Sequence, residues 1–170
     1  QRSLVGSEMC IRDSPQAIAD VHMMVTDPAA YIEPLRAAGA DYVSFHADST
    51  HFVIRSLRAI REVGMKAGIV LNPSQQVDVI HPYLDWVDLV VLMTVEPGFA
   101  GQKFMVESLP RLEELSKLRE ETGKEFLISI DGGINYPNVQ PCVRRGANLF
   151  VTGVYTVYRQ PDGIPAACQR

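Results

Sequence analysis

From residue 17 onward, apolar and polar positions alternate between two rhythms. Short runs rich in Val, Ile, Leu and Phe give way to a polar loop, and then to a stretch with apolar residues every three or four positions. The first rhythm predicts strands at Ile18–Met24, Tyr42–His46, Ala67–Leu71, Leu89–Thr94, Phe126–Asp131 and Leu149–Thr152. The second predicts helices at Pro28–Ala38, His51–Val63, Gln76–Leu84, Val106–Thr122 and Tyr136–Arg145. Asp27 before Pro28 reads as a helix N-cap, and Gly39 and Gly64 lie just past helix ends. The strings RAAGADY (Arg36–Tyr42) and RRGANL (Arg144–Leu149) spell one helix-to-strand turn twice. A βα unit repeated in this way predicts a parallel sheet with each strand covered by a helix.

Six such strands fit either a doubly wound sheet or a barrel. Polar residues recur at the C-terminal ends of the strands: His22, His46, Asn72, Thr94, Asp131 and Thr152. That rim carries the chemistry in barrel enzymes, so the expected fold is α/β, an incomplete TIM (β/α)8 barrel of about six βα units. Alternation sets Leu127, Ser129 and Asp131 on one strand face and Phe126, Ile128 and Ile130 on the other. The bulky face should meet the helices, which leaves Asp131 directed to the barrel mouth, as His22 should be. A whole barrel takes about 250 residues and eight strands, so the first two strands are expected to be missing. Gln1–Ser14 has no clear period, and we expect 1–14 to be a non-family segment, disordered or artefactual, with 15–170 a partial barrel domain. Pro161–Arg170 is too short for a full final helix.

Composition narrows the partners. A net charge of −4 over 170 residues argues against a nucleic-acid binder, which needs a basic face. Cys10, Cys142 and Cys168 are odd in number and contain no C-x-x-C pair, so neither a disulfide framework nor a zinc knuckle is indicated. Leu89–Met93 and the other apolar runs fall well short of the roughly 18 residues of a membrane helix. These features lead to an expectation of a cytoplasmic protein without a membrane partner.

Three segments carry candidate chemistry. His22, in Asp20-Val-His-Met-Met24, shares a strand face with Asp20 and Met24, although such a histidine also serves as a hydrogen-bonded core residue. Asp131 closes a hydrophobic strand before Gly132 and Gly133; it either caps the next helix or stands at the mouth, with the glycines admitting a ligand. The loop Thr94–Lys103 holds Gly98 and Gly101, which suit a plain turn or a set of N–H groups aimed at an anion, and Gly153 offers a second such position. His46 ends a strand at the rim, within reach of a ligand. His51 and His81 read as surface or packing residues, and the Arg111–Glu125 charge run as a solvated helix face.

DVHMMV (Asp20–Val25), Leu71-Asn72-Pro73, MTVEPGFAGQKF (Met93–Phe104), DGGI (Asp131–Ile134) and Gly146-Ala147-Asn148, in that order, closely resemble ribulose-phosphate 3-epimerases over about residues 17–158. The resemblance implies a TIM barrel that converts D-ribulose 5-phosphate to D-xylulose 5-phosphate in the pentose phosphate pathway. It also implies a divalent metal, zinc first, with iron, manganese or cobalt as alternatives. Carried over by motif, His22 and Asp131 would be metal ligands, Asp131 also being the catalytic acid. His22, Met24, Met93, Gly98, Phe99, Ala100, Gly101, Asp131, Gly132, Gly133, Gly153 and Val154 would contact substrate and its phosphate. The chemistry is coherent. A proton beside a ketone leaves when the enediolate is stabilised, and two carboxylates on opposite faces can take and return it.

The departures are equally specific. The family's first-strand serine and second-strand His-x-Asp have no counterpart, and neither Asp13 nor Asp20 has the right setting. Val154 stands where the family has a serine, and Ala100 where a glycine is frequent, as in the allulose-6-phosphate branch. The chain as written is therefore expected to be inactive. Allulose-6-phosphate 3-epimerase and a non-catalytic barrel binding phosphorylated ligands are the alternative readings, with an amino-acid-biosynthesis isomerase a weaker one. A homo-oligomer is left open.

Overall fold

The computed structural model describes residues 17–169, so the expectation for Gln1–Ser14 lies outside the described residues. Six strands follow one another: β1 Asp20–Met23, β2 Tyr42–His46, β3 Lys66–Leu71, β4 Leu89–Met93, β5 Leu127–Asp131 and β6 Leu149–Val151. Their order in the sheet is the order in the sequence, and the β1–β2, β2–β3 and β5–β6 ladders are parallel. The helices are α1 Ile32–Ala38, α2 Val53–Glu62, α3 Ser108–Thr122, α4 Tyr136–Val143 and the single turn α5 Ile164–Ala167. The fold class is α/β, an incomplete TIM-type arrangement of parallel strands and covering helices. None of the described helices is long and apolar enough to cross a membrane.

Prolines account for most differences from the expected helices. Pro34 has no N–H and is tolerated only in a first turn, so α1 begins at Ile32 behind a 3-10 turn at Pro28–Tyr31. Asp27 precedes that turn without a side-chain capping bond, contrary to expectation. The segment expected to be a helix at Gln76–Leu84 is a 3-10 helix, Val77–Tyr83. Its buried residues Val77 and Ile80 are three apart, the 3-10 repeat, and Pro82 cannot extend an α-helical ladder. Pro110 likewise falls in the first turn of α3.

The chain forms two compact units, one running up to Val70 together with Pro82–Leu89, the other comprising Leu71–His81 and Val90 onward. In the first unit Leu35, Val43, Phe45, Leu57, Ile60 and Ile69 are fully buried. In the second, Leu92, Leu115, Ile128 and Ile130 are. Complete burial of each such side chain stabilises by about 1.5–3 kcal/mol.

The repeated turn is a real device. Gly39 and Gly146 both take left-handed conformations, at φ 94° and 95°, and the next residues, Ala40 and Ala147, are buried. The residue after each reaches back to the preceding strand: the Ala19 N–H donates to Asp41 Oδ2 at 2.8 Å and the Ile128 N–H to Asn148 Oδ1 at 3.0 Å. Asp88 repeats the contact, accepting the Ala67 N–H at 2.9 Å. A short carboxylate or amide thus aligns each incoming strand with the one before, once in each unit and again ahead of β4.

Candidate active site

In the first unit the site grows from the parallel register of β1 and β2. His22 stands opposite Ser44, and Ser44 opposite Gly68. Side chains alternate along a strand, so His46, two residues beyond Ser44, shares its face with His22. Val43 and Phe45 take the other face and are fully buried. A Cβ on Gly68 would meet the Ser44 Cβ at 2.7 Å, so glycine is required for Ser44 to fit. The outcome is a histidine pair. His22 Nε2 and His46 Nε2 are 2.8 Å apart, with ring centroids at 4.9 Å and planes tilted by 30°. His46 is 7% exposed, His22 half-buried, and Met24 beyond it 57% exposed. The Ser44 hydroxyl, beneath the pair, is buried with no hydrogen-bond partner in the structure.

In the second unit β5 ends on Asp131, which is half-buried. The helix-cap reading of Asp131 fails, because Asn135 caps α4. Asn135 Oδ1 accepts the Asn138 N–H at 3.1 Å, and Asn138 Oδ1 accepts the Asn135 N–H at 3.0 Å. Thr94, just past β4, anchors the strand end: its N–H donates to the Asp131 carbonyl at 2.8 Å and its hydroxyl to the Gly132 carbonyl at 2.6 Å. Gly132 and Gly133 sit at φ 125° and 63°. A side chain on Gly132 would strike Val95, and one on Gly133 the backbone of Lys103 and Phe104. Close approach here is made by the chain itself.

The loop after β4 is internally braced. The Gln102 amide donates to the Glu96 carbonyl at 2.5 Å and to the Phe99 carbonyl at 3.1 Å. Gly98 and Gly101 take positive φ, Ala100 is exposed, and Phe99 is 71% exposed. Tyr155 closes the loop from the other side, its hydroxyl donating to the Gly101 carbonyl at 2.6 Å. The Gly153 N–H donates to Thr156 Oγ1 at 3.1 Å, within one tight turn that leaves Val154 half-buried. Met93 is buried within β4. Behind the Asn72-Pro73 motif, Arg111 donates to the carbonyls of Asn72 and Gln75 at 2.8 and 2.9 Å. Burial holds the Arg111 guanidinium below its ordinary value, partly opposed by Glu114, and an arginine stays charged regardless.

His22 belongs to the first unit and Asp131 to the second. Among the described residues no three His, Cys, Asp or Glu side chains converge as a metal centre requires. The donors present do not by themselves fit a metal ion. Sequence reasoning missed two contacts, His46 on His22 and Tyr155 on Gly101. The first depends on the register of β1 against β2, which no local pattern fixes, and nothing local signals the second.

Parallel strands in sequence order, covering helices, and glycine loops after β4 and β5 define a protein of the (β/α)-barrel class. Two solved mutants of the tryptophan synthase α-subunit from Pyrococcus furiosus share the fold, with TM-scores of 0.69 and 0.68 at 14% identity, over 89% of this chain and 63% of theirs. The sequence is more specific. The profile of the ribulose-phosphate 3-epimerase family matches residues 6–157, and the chain belongs to that family. It is 45% identical over 144 residues to the ribulose-phosphate 3-epimerase of Bacillus subtilis, covering 84% of this chain and 66% of that protein. Against those of Aquifex aeolicus and Escherichia coli K12 the identities are 40% and 36%, covering 84% of this chain and 64% and 63% of theirs. The chain thus spans just under two thirds of the length of these relatives.

Proposed function

We propose that this protein epimerises C3 of a ketose phosphate, interconverting D-ribulose 5-phosphate and D-xylulose 5-phosphate through an enediolate, in the cytoplasm. The observation that carries the reading is membership of the family, with 45% identity to a relative of that name. The residues suit the chemistry. Asp131 ends a strand and is half-buried, the following helix is capped by Asn135 instead, and the Asp131 carboxylate would be the group to exchange a proton with C3. His22 would bond the oxygens that gain charge. The loop Gly98–Gly101, braced by Gln102 and Tyr155, would offer backbone N–H groups to the phosphate. The Gly153 N–H, bonded to Thr156, would join it only after that turn rearranges. A divalent ion, zinc ahead of iron, manganese or cobalt, follows from the resemblance alone; no step here depends on it.

The test is uptake of deuterium at C3 of ribulose 5-phosphate in heavy water, followed by proton NMR. Two samples are compared: the 170-residue chain, and a chimera adding the part of the Bacillus subtilis relative that the chain does not span. We expect exchange by the chimera and at least ~10²-fold slower exchange by the chain alone, the loss of one acid/base partner. A folded chimera that binds the sugar phosphate without exchange would mean a binding protein. Preference for allulose 6-phosphate in a parallel run would move the substrate to the hexose series.

A further inference from the structure

We propose that Tyr155 is a positioning residue for anion binding: by holding the Gly101 carbonyl, its hydroxyl keeps the Gly98–Gly101 loop in the conformation that offers its backbone N–H groups to a phosphate. That the phosphate belongs to a sugar substrate rests on the function proposed above; the tether rests on geometry. Around this loop the acceptors are taken and the donors are not. The carbonyls of Glu96 and Phe99 accept from the Gln102 amide, and the Gly101 carbonyl accepts from the Tyr155 hydroxyl at 2.6 Å. Among the described residues, no hydrogen bond uses the N–H of Gly98, Phe99, Ala100 or Gly101. A run of backbone donors whose neighbouring carbonyls are already engaged is what an anion requires. Gly98 and Gly101 both take positive φ and the loop is exposed, so nothing but such ties limits its backbone.

Tyr155 can act as a tether because it is itself held. It is half-buried, and its carbonyl accepts from the Gln160 amide at 2.6 Å. The turn that carries it is closed by the N–H groups of Val157 and Tyr158 on the Gly153 carbonyl, at 2.8 and 3.0 Å, and by the Gly153 N–H on Thr156 Oγ1. Tyr136, at the start of α4, donates to the Thr156 carbonyl at 3.3 Å and ties the turn to that helix. One hydroxyl thus joins the loops after β4 and β6 across 54 positions of the chain, within the second unit. Tyr158, on the same turn, is 68% exposed, and among the described residues its hydroxyl makes no hydrogen bond.

The experiment is titration of the full 15N-labelled chain with inorganic phosphate at neutral pH, followed by NMR through amide shifts and amide relaxation. In the wild type the amide signals of Gly98–Gly101 are expected to move together and to saturate. Tyr155→Phe keeps the ring and deletes the tether. It should weaken phosphate by about fivefold, the effect of one net hydrogen bond, and increase the fast motion of the Phe99–Gly101 amides. Tyr158→Phe, the same deletion on the same turn, should change neither. A loss of at most about twofold in Tyr155→Phe, below the range of one hydrogen bond, overturns the proposal. So does an equal loss in Tyr158→Phe, or the absence of saturable shifts at the loop amides. If Tyr155→Phe does not fold, the wild type decides: ring-proton contacts between Tyr155 and Gly101 must persist in the phosphate-bound spectrum, and their loss overturns the proposal. The deuterium assay reads the function separately. Exchange by the chimera, with phosphate binding indifferent to Tyr155→Phe, overturns this inference alone. The fivefold loss in Tyr155→Phe, with no exchange by the chimera, overturns the function alone.

Discussion

Replacing Gly133 by Ala tests whether the glycines after β5 serve the fold or a ligand. Gly133 lies at φ 63°, a left-handed conformation that costs an L-residue about 1–2 kcal/mol. Gly123, the C-cap of α3, has the same φ of 63° within the same unit and provides the control. A Cβ on Gly123 meets nothing within 4 Å, whereas one on Gly133 would lie 2.8 Å from Lys103 C and from Phe104 Cα. Both substitutions also restrict the unfolded chain, an offset of about 0.4–1 kcal/mol. These shared terms cancel. What remains for Gly133→Ala is the forced shift of the 103–104 backbone, about 1–3 kcal/mol by analogy with overpacked cores. Urea unfolding of wild type and both variants, followed by circular dichroism, measures the difference from midpoints at a common slope. If Gly133→Ala falls within about 0.5 kcal/mol of Gly123→Ala, less than the lower bound for overpacking, the close approach is absent. Gly133 would then be kept small for a ligand.

Asp131→Asn in the chimera keeps the side chain's size but removes the transferable proton, so exchange at C3 should fall by ~10²–10⁴-fold with the circular dichroism spectrum unchanged. Exchange within a few-fold of the parent would mean another group moves the proton. Burial pushes the Cys142 thiol up, opposed more weakly by Arg145. The folded chain therefore holds that proton where an unfolded thiol has lost it. This contribution is complete below the unfolded value, about 8.5, and is lost as pH rises through the raised one. At mildly alkaline pH iodoacetamide should label exposed Cys168 and spare buried Cys142 until the chain unfolds, read by peptide mass spectrometry. Equal labelling rates in folded protein would contradict the burial.

The sequence by itself determined the order of strands and helices, the turn used at Gly39 and again at Gly146, and Asp131 at a strand end. Each follows from local rules: periodicity, glycine in left-handed turns, and the missing N–H of proline. Local rules also carried the family, since its motifs are short runs read without any fold. Three matters waited for tertiary structure. The Val77–Tyr83 segment was left to packing, because Val77 and Ile80 had to reach the core with Pro82 between them and the next strand. The purpose of Gly132 and Gly133 depended on which backbone passes beside them, residues near 95 and 104, a fact of chain path rather than of composition. The His22–His46 pair spans 24 positions and exists only in one register of β1 against β2. A shift of one residue would turn either ring to the opposite face of the sheet. Registers are set by many side chains at once, here by Asp41 reaching back to the Ala19 N–H and by Gly68 leaving room for Ser44. That collective choice is why the neighbour of His22 could be known only from the folded chain.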